Sequence, residues 1–146
     1  MNVFFDTNVL IDVIAARKPF VADSRKVWYL AERQRISGQV SVLSFANIYY
    51  VIRKQNGRAV AESAMTMIRG TFAAVAFDEQ ILNQAIGAGF SDFEDAIQLF
   101  SALRAEADCL LTRNADHFPT SSLPVMTPGE FLAAHSFDTC RSPRSG

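Results

Sequence analysis

Short apolar runs alternate along this chain with longer helix-forming stretches, and that alternation limits the folds open to it. Val3-Phe4-Phe5, Val40-Ser41-Val42, Phe72-Ala73-Ala74-Val75-Ala76-Phe77, Cys109-Leu110-Leu111-Thr112 and Pro124-Val125-Met126 are short, apolar runs bounded by turn and cap residues. Runs of this kind read as strands, with those at residues 3–5 and 72–77 buried. Between them the periodicity predicts helices over residues 8–15, 20–36 with Gly38 as the stop, 44–56 closed by Asn56-Gly57, 58–69, 79–88 and 92–106. A short last helix opens at Thr127-Pro128-Gly129-Glu130, with proline in its first turn. Strands separated by helices make βαβ units, so the predicted class is α/β: a three-layer α/β/α sandwich around a central, mostly parallel sheet.

Local signals sharpen several of these elements. Asp78 is a good N-cap for the helix that follows it, and Ser91-Asp92-Phe93-Glu94 fits a capping box with Ser91 as cap and Glu94 reaching back. The stretch from Phe45 to Ile52 is apolar on almost every face except at Asn47, which predicts a buried helix.

At 146 residues, 49% hydrophobic and 20% charged, the chain has the size and make-up of one domain with a real core. Residues 135–146 have no periodicity and read as a mobile tail. No apolar run approaches the ~20 residues of a membrane helix, and no basic region precedes an apolar N-terminus, so a cytoplasmic protein without membrane contact is expected. Cys109 and Cys140 match neither a zinc ligand set nor a disulfide framework. The net charge of -1 conceals an asymmetry: residues 1–70 hold ten Lys/Arg against five Asp/Glu, and residues 71–146 hold four against ten. The basic half is either a set of ordinary solvated helix faces or an attraction for nucleic acid; no dense stripe of Lys and Arg marks it out.

Four acids stand where chemistry gathers. Asp6 follows directly on the first apolar strand and opens a helix, and ligands of open α/β sheets collect at the carboxyl ends of strands. Asp92 and Asp95 lie three residues apart at a helix start, hence ~4.5 Å along its axis and on one side. Such a pair repels unless a divalent cation or the helix N-terminus compensates. Asp116 follows the fourth strand in Asn114-Ala115-Asp116-His117-Phe118. Helix capping for Asp6 and Asp92, and an Asx-turn for Asp116, are the plain structural alternatives. Taken together, an oxygen-only cluster suits Mg²⁺ or Mn²⁺ rather than zinc, and such a cation lets an acidic pocket serve a phosphodiester.

Asp6-Thr7-Asn8-Val9-Leu10, Asp92-Phe93-Glu94-Asp95-Ala96 and Leu111-Thr112-Arg113-Asn114-Ala115-Asp116-His117-Phe118, in that order, resemble PIN domains, the metal-dependent ribonuclease fold that includes VapC-type toxins. The resemblance runs from about residue 2 to residue 132 and implies one PIN-like domain over 1–134. It implies an endoribonuclease with a Mg²⁺ or Mn²⁺ site in which Asp6 is the first family acid, Asp95 the third and Asp116 the fourth. Thr112 and Asn114 line that site. It also implies RNA as substrate, a cognate antitoxin as partner, and a homodimer.

The second family acid, usually a glutamate on the third helix, is replaced here by Asn47. An amide offers a carbonyl oxygen but no charge. The similarity is closest to a branch that pairs such an asparagine with an extra aspartate, which makes Asp92 the expected auxiliary ligand. Asn47 is otherwise a buried amide satisfied by backbone, and Ser44, one turn earlier, is either a helix N-cap or a second contact to the site. Neither His117 nor His135 is assigned to catalysis. A different class of reading is a catalytically weak PIN-fold module that binds RNA or a partner protein, which Asn47 favours. A phospho-acceptor aspartate at Asp6 lacks the second acid two residues on, where Asn8 stands.

Overall fold

Five parallel strands form one sheet in the order β3-β2-β1-β4-β5, where β1 is Asn2–Phe5, β2 Ser37–Ser41, β3 Ala73–Val75, β4 Cys109–Leu111 and β5 Val125–Met126. The computed structural model describes residues 1–119 and 121–135. Seven helices connect and cover the strands: α1 Thr7–Ile14, α2 Val21–Glu32, α3 Val42–Asn56, α4 Arg58–Thr71, α5 Glu79–Gly87, α6 Phe93–Arg104 and α7 Pro128–Ala134. Among the described residues none is long and apolar enough to cross a membrane. The predicted tail, apart from His135, and Cys140 lie outside the described residues.

Strand periodicity decides which helix covers which face. Val3 and Phe5 of β1, with Cys109 and Leu111 of β4, pack into a core shared with α1, α2, α3 and α4. Phe4 and Leu110 point the other way, onto Leu99 and Ala102 of α6. Both faces are covered, which explains why these strands read as unbroken apolar runs. The chain winds outward from β1 through β2 to β3, then returns to the other side of β1 as β4 and β5. The switch in direction falls between β1 and β4, and in open sheets a crevice forms at that point.

Several boundaries depart from the sequence expectation for identifiable reasons. Helix α2 stops at Glu32, four residues early, because Gln34 takes a left-handed backbone, φ 59°. Gly38 is not its stop but a buried residue of β2: a Cβ there would stand 2.5 Å from the ring of Phe72. That ring makes edge contacts with Phe5 at 4.8 Å and Trp28 at 5.3 Å, so the glycine makes room for an aromatic cluster. Strand β3 keeps only three of its six predicted residues and is an edge with Ala73 and Ala74 exposed, not a buried strand.

Helix α3 begins at Val42, two residues early, because Ser41 rather than Ser44 is its N-cap, the Ser41 hydroxyl accepting from the Leu43 amide. It is also less buried than its composition suggests. Only Ser44, Ile48 and Ile52 are buried, four apart on one face, while Tyr50 is 66% exposed. Gly57, at φ 92°, turns the chain from α3 into α4. Helix α6 is capped by Asp92, not Ser91. Asp78 caps α5 as expected, and Thr127 with Glu130 forms a full capping box on α7.

Candidate active site

Strand β1 delivers Asp6 to the carboxyl edge of the sheet, where its amide donates to Leu111 O of β4 at 2.9 Å. One carboxylate oxygen accepts from the Thr7 amide at 2.7 Å, which makes Asp6 the N-cap of α1 as well. The other accepts from the Thr112 hydroxyl at 2.8 Å, at the end of β4. Thr112 Oγ1 accepts in turn from the Asn114 amide at 3.3 Å and from Asn8 Nδ2 at 3.4 Å. Asp6 is thus held from both central strands, and it is buried. Burial pushes its carboxyl up to about 6 against those two hydrogen bonds, with the charges of Glu94 and Asp92 adding to the rise.

The second wall is the N-terminal end of α6. Asp92 Oδ1 accepts from the Asp95 amide at 3.1 Å, so the helix-capping role holds for Asp92. Asp95 is half-buried, and its carboxyl is raised to about 6 by burial first, then by Asp92 and Asp6, with His117 opposing. Helix α3 closes a third side. Asn47 Nδ2 donates to Glu94 Oε2 at 3.0 Å, and Ser44 Oγ shares a hydrogen bond of 2.7 Å with Thr7 Oγ1 and accepts from Gln98 Nε2 at 3.2 Å. Ser44 is therefore a buried link between α1, α3 and α6, and Asn47 pairs with a side chain rather than with backbone.

Asp6, Asp95, Asp92, Asn47, Ser44, Thr112 and Asn114 all lie around this one edge. Asp116 sits on the short 3₁₀ turn Ala115–His117 beyond β4, exposed, with no hydrogen bond to the other acids. Among the described residues, no three Asp, Glu, His or Cys side chains close on one point tightly enough to form a ready-made cation site. Nor is any Lys or Arg ion-paired with these acids; the three ion pairs there are Arg58–Glu62, Arg104–Asp78 and Arg113–Asp12.

Four contributors do not stand out in the sequence. Glu94 reads there as part of a capping box, but its carboxylate crosses to Asn47. Gln98 stands one turn beyond Asp95 and Glu94, and that helical spacing is its one signal. Asn8 and Asp12, also one turn apart, both grip Arg113: Asn8 Oδ1 accepts its amide at 3.1 Å, and the fully buried Asp12 carboxylate takes its guanidinium in a bidentate pair. Phe20 covers that guanidinium, 4.4 Å from ring centroid to carbon. Cys109, by contrast, is a buried thiol pushed up to about 11 by burial and plays no part at this edge.

A parallel α/β sheet with an acidic edge at its switch point defines the class of protein. The PIN domain family model matches residues 2–116, and the chain belongs to that family. The fold is shared with a chain of a toxin-antitoxin complex from Klebsiella pneumoniae, with TM-score 0.64 and 21% identity over 86% of this chain and 97% of that one. A chain of VapBC2 from Rickettsia felis, bound to a DNA fragment from its promoter, gives TM-score 0.64 at 14% identity over the same shares. Mycobacterium tuberculosis VapC20, a toxin that cleaves the sarcin-ricin loop, gives 0.61 at 11% over 74% of this chain and 86% of its own. At these identities the likeness is one of fold. Comparison with curated proteins by sequence finds no match.

Proposed function

We propose that the chain is a metal-dependent endoribonuclease hydrolysing RNA phosphodiester bonds, with Mg²⁺ or Mn²⁺ as cofactor. The observation that supports this most is the meeting of Asp6 and Asp95 at the switch point of a PIN-domain sheet. Asp92 and Glu94 lie within electrostatic reach, and no basic side chain is paired to any of them among the described residues. The donor set fits a hard divalent cation, since every donor is oxygen. Both Asp6 oxygens keep a lone pair after their hydrogen bonds. Asp6, Asp95 and Asp116 would hold the cation, with Asp92 auxiliary.

When bound, such a cation supplies charge to offset phosphate repulsion and a lowered pKa for water. The remaining work falls to the chain. Thr7 and Thr112 each hold one oxygen of the Asp6 carboxylate and so orient it. Asp92, which caps the same helix start through the Asp95 amide, would orient the water. The basic first half of the chain draws the RNA backbone. The toxin-antitoxin complexes among the Klebsiella and Rickettsia structures support the toxin of a toxin-antitoxin pair, held by a cognate antitoxin; a homodimer acting in the cytoplasm belongs to the same proposal.

Purified protein with Mn²⁺ and a panel of structured RNAs is expected to cleave, and chelation to stop it. Asp95→Asn is expected to slow cleavage about 10²–10⁴-fold. Cleavage that survives both chelation and Asp6→Asn would overturn the reading. The alternative, an RNA- or partner-binding module of little activity, is favoured by Asn47 and by the absence, among the described residues, of a tight three-acid group. Retention of RNA without cleavage under every metal condition would establish it instead.

A further inference from the structure

We infer that Asn8, Asp12 and Arg113 are positioning residues that together aim the Thr112 hydroxyl at Asp6. The inference deepens the proposed function and rests on it. A threonine hydroxyl holds one proton and two lone pairs. Thr112 Oγ1 accepts from Asn8 Nδ2 at 3.4 Å and from the Asn114 amide at 3.3 Å, which occupies both lone pairs. Its proton is left for Asp6 Oδ2, 2.8 Å away. The Asn8 amide is oriented in turn from its other end. A backbone N–H only donates, so the Arg113 amide, 3.1 Å from Asn8 Oδ1, keeps the oxygen on its own side and the NH₂ toward Thr112.

Arg113 is held where its amide can do this. Asp12 stands one turn beyond Asn8 on the same face of α1 and is 1% exposed. It takes Arg113 Nε on Oδ2 at 3.0 Å and a second guanidinium nitrogen on Oδ1, and the Phe20 ring covers the same guanidinium. A buried pair of this kind adds little stability over apolar side chains of the same size, so what it contributes here is the two-point geometry of the fork. One helix thus carries the Asp6 carboxylate at its N-cap and, further along, the side chains that fix its donor. Arg113, its charge paired and its face covered, serves this geometry rather than a phosphate.

Calorimetric titration with MnCl₂, and cleavage of a structured RNA beside it, test the assignment. Asn8→Ala, at a partly exposed position, is expected to weaken Mn²⁺ binding about 10-fold, and Asp12→Leu with Arg113→Met, an apolar pair of similar size, about 10–100-fold. In cleavage both should lower kcat by a similar factor and leave the KM for RNA unchanged. A KM that rises at constant kcat would make Arg113 a phosphate contact and overturn the assignment. Adding Asn8→Ala to Thr112→Val is expected to cost no more than Thr112→Val alone, because both act through one hydroxyl; additive losses would overturn it too. If Asp6→Asn weakens binding while Asn8→Ala and the Asp12–Arg113 double variant equal wild type, the positioning assignment falls and the proposed function stands. If the wild type neither binds Mn²⁺ nor cleaves, both fall.

Discussion

Asp6 carries two opposed demands, the charge that the proposed chemistry needs and a position inside the fold. Its folded carboxyl, raised to about 6 from 3.8, favours the protonated form, so it penalises folding once the unfolded chain would ionise. The metal-free protein is expected to lose this contribution as pH rises from about 4 through about 6, and to bear the full penalty, roughly 2–3 kcal/mol, at pH 7. Asp95 acts in the same direction. Asp6→Asn removes the titration yet still caps α1, since asparagine accepts from the Thr7 amide. Urea unfolding should therefore show the variant gaining on wild type between pH 4 and pH 7; a constant difference would mean that burial does not raise the Asp6 carboxyl. Asp12 is the opposite case, a buried carboxylate with its cation in place. Arg113→Met is expected to cost about 3–5 kcal/mol, whereas Arg113→Met with Asp12→Leu should cost much less, as read by chemical denaturation.

Elements are legible wherever the chain states its own boundary. The Asp78 and Thr127 caps and the Gly57 turn place α5, α7 and the α3–α4 junction, because each is a local interaction of the backbone with a nearby side chain. Elements whose limits depend on distant residues are not. Gly38 looks like a helix stop in one dimension, yet it is a strand residue whose missing side chain admits Phe72, a neighbour 34 positions away. Gly38→Ala is expected to destabilise by about 1–3 kcal/mol, since a rigid aromatic held by Phe5 and Trp28 must move; thermal melting measures it. Helix α3 reads as buried by composition, but its exposed Tyr50 and Val42 belong to faces that no neighbouring element covers among the described residues.

For the molecule as a whole, the cation of the proposed function would link the residues above to global stability. Mn²⁺ at about 100 times its dissociation constant is expected to stabilise the fold by about 2.7 kcal/mol. For a domain of this size that raises Tm by roughly 5–10 °C. Asp95→Asn should abolish the shift, and an unchanged Tm in wild type would deny the site. Asp6, Asp92 and Asp95 are visible in the sequence because an acid after an apolar strand, or a pair at a helix start, is conspicuous in one dimension. Alternation of apolar runs and helices likewise determines a parallel, doubly covered sheet, since strands buried on both faces must be apolar throughout. What no spacing contains is which side chain meets which. Only the packing of α3 against α6 joins Asn47 to Glu94, and only the meeting of β1 with β4 puts Thr112 on Asp6. Those contacts span 47 and 106 residues, and the chain brings them together through burial of apolar faces that do not themselves touch the site.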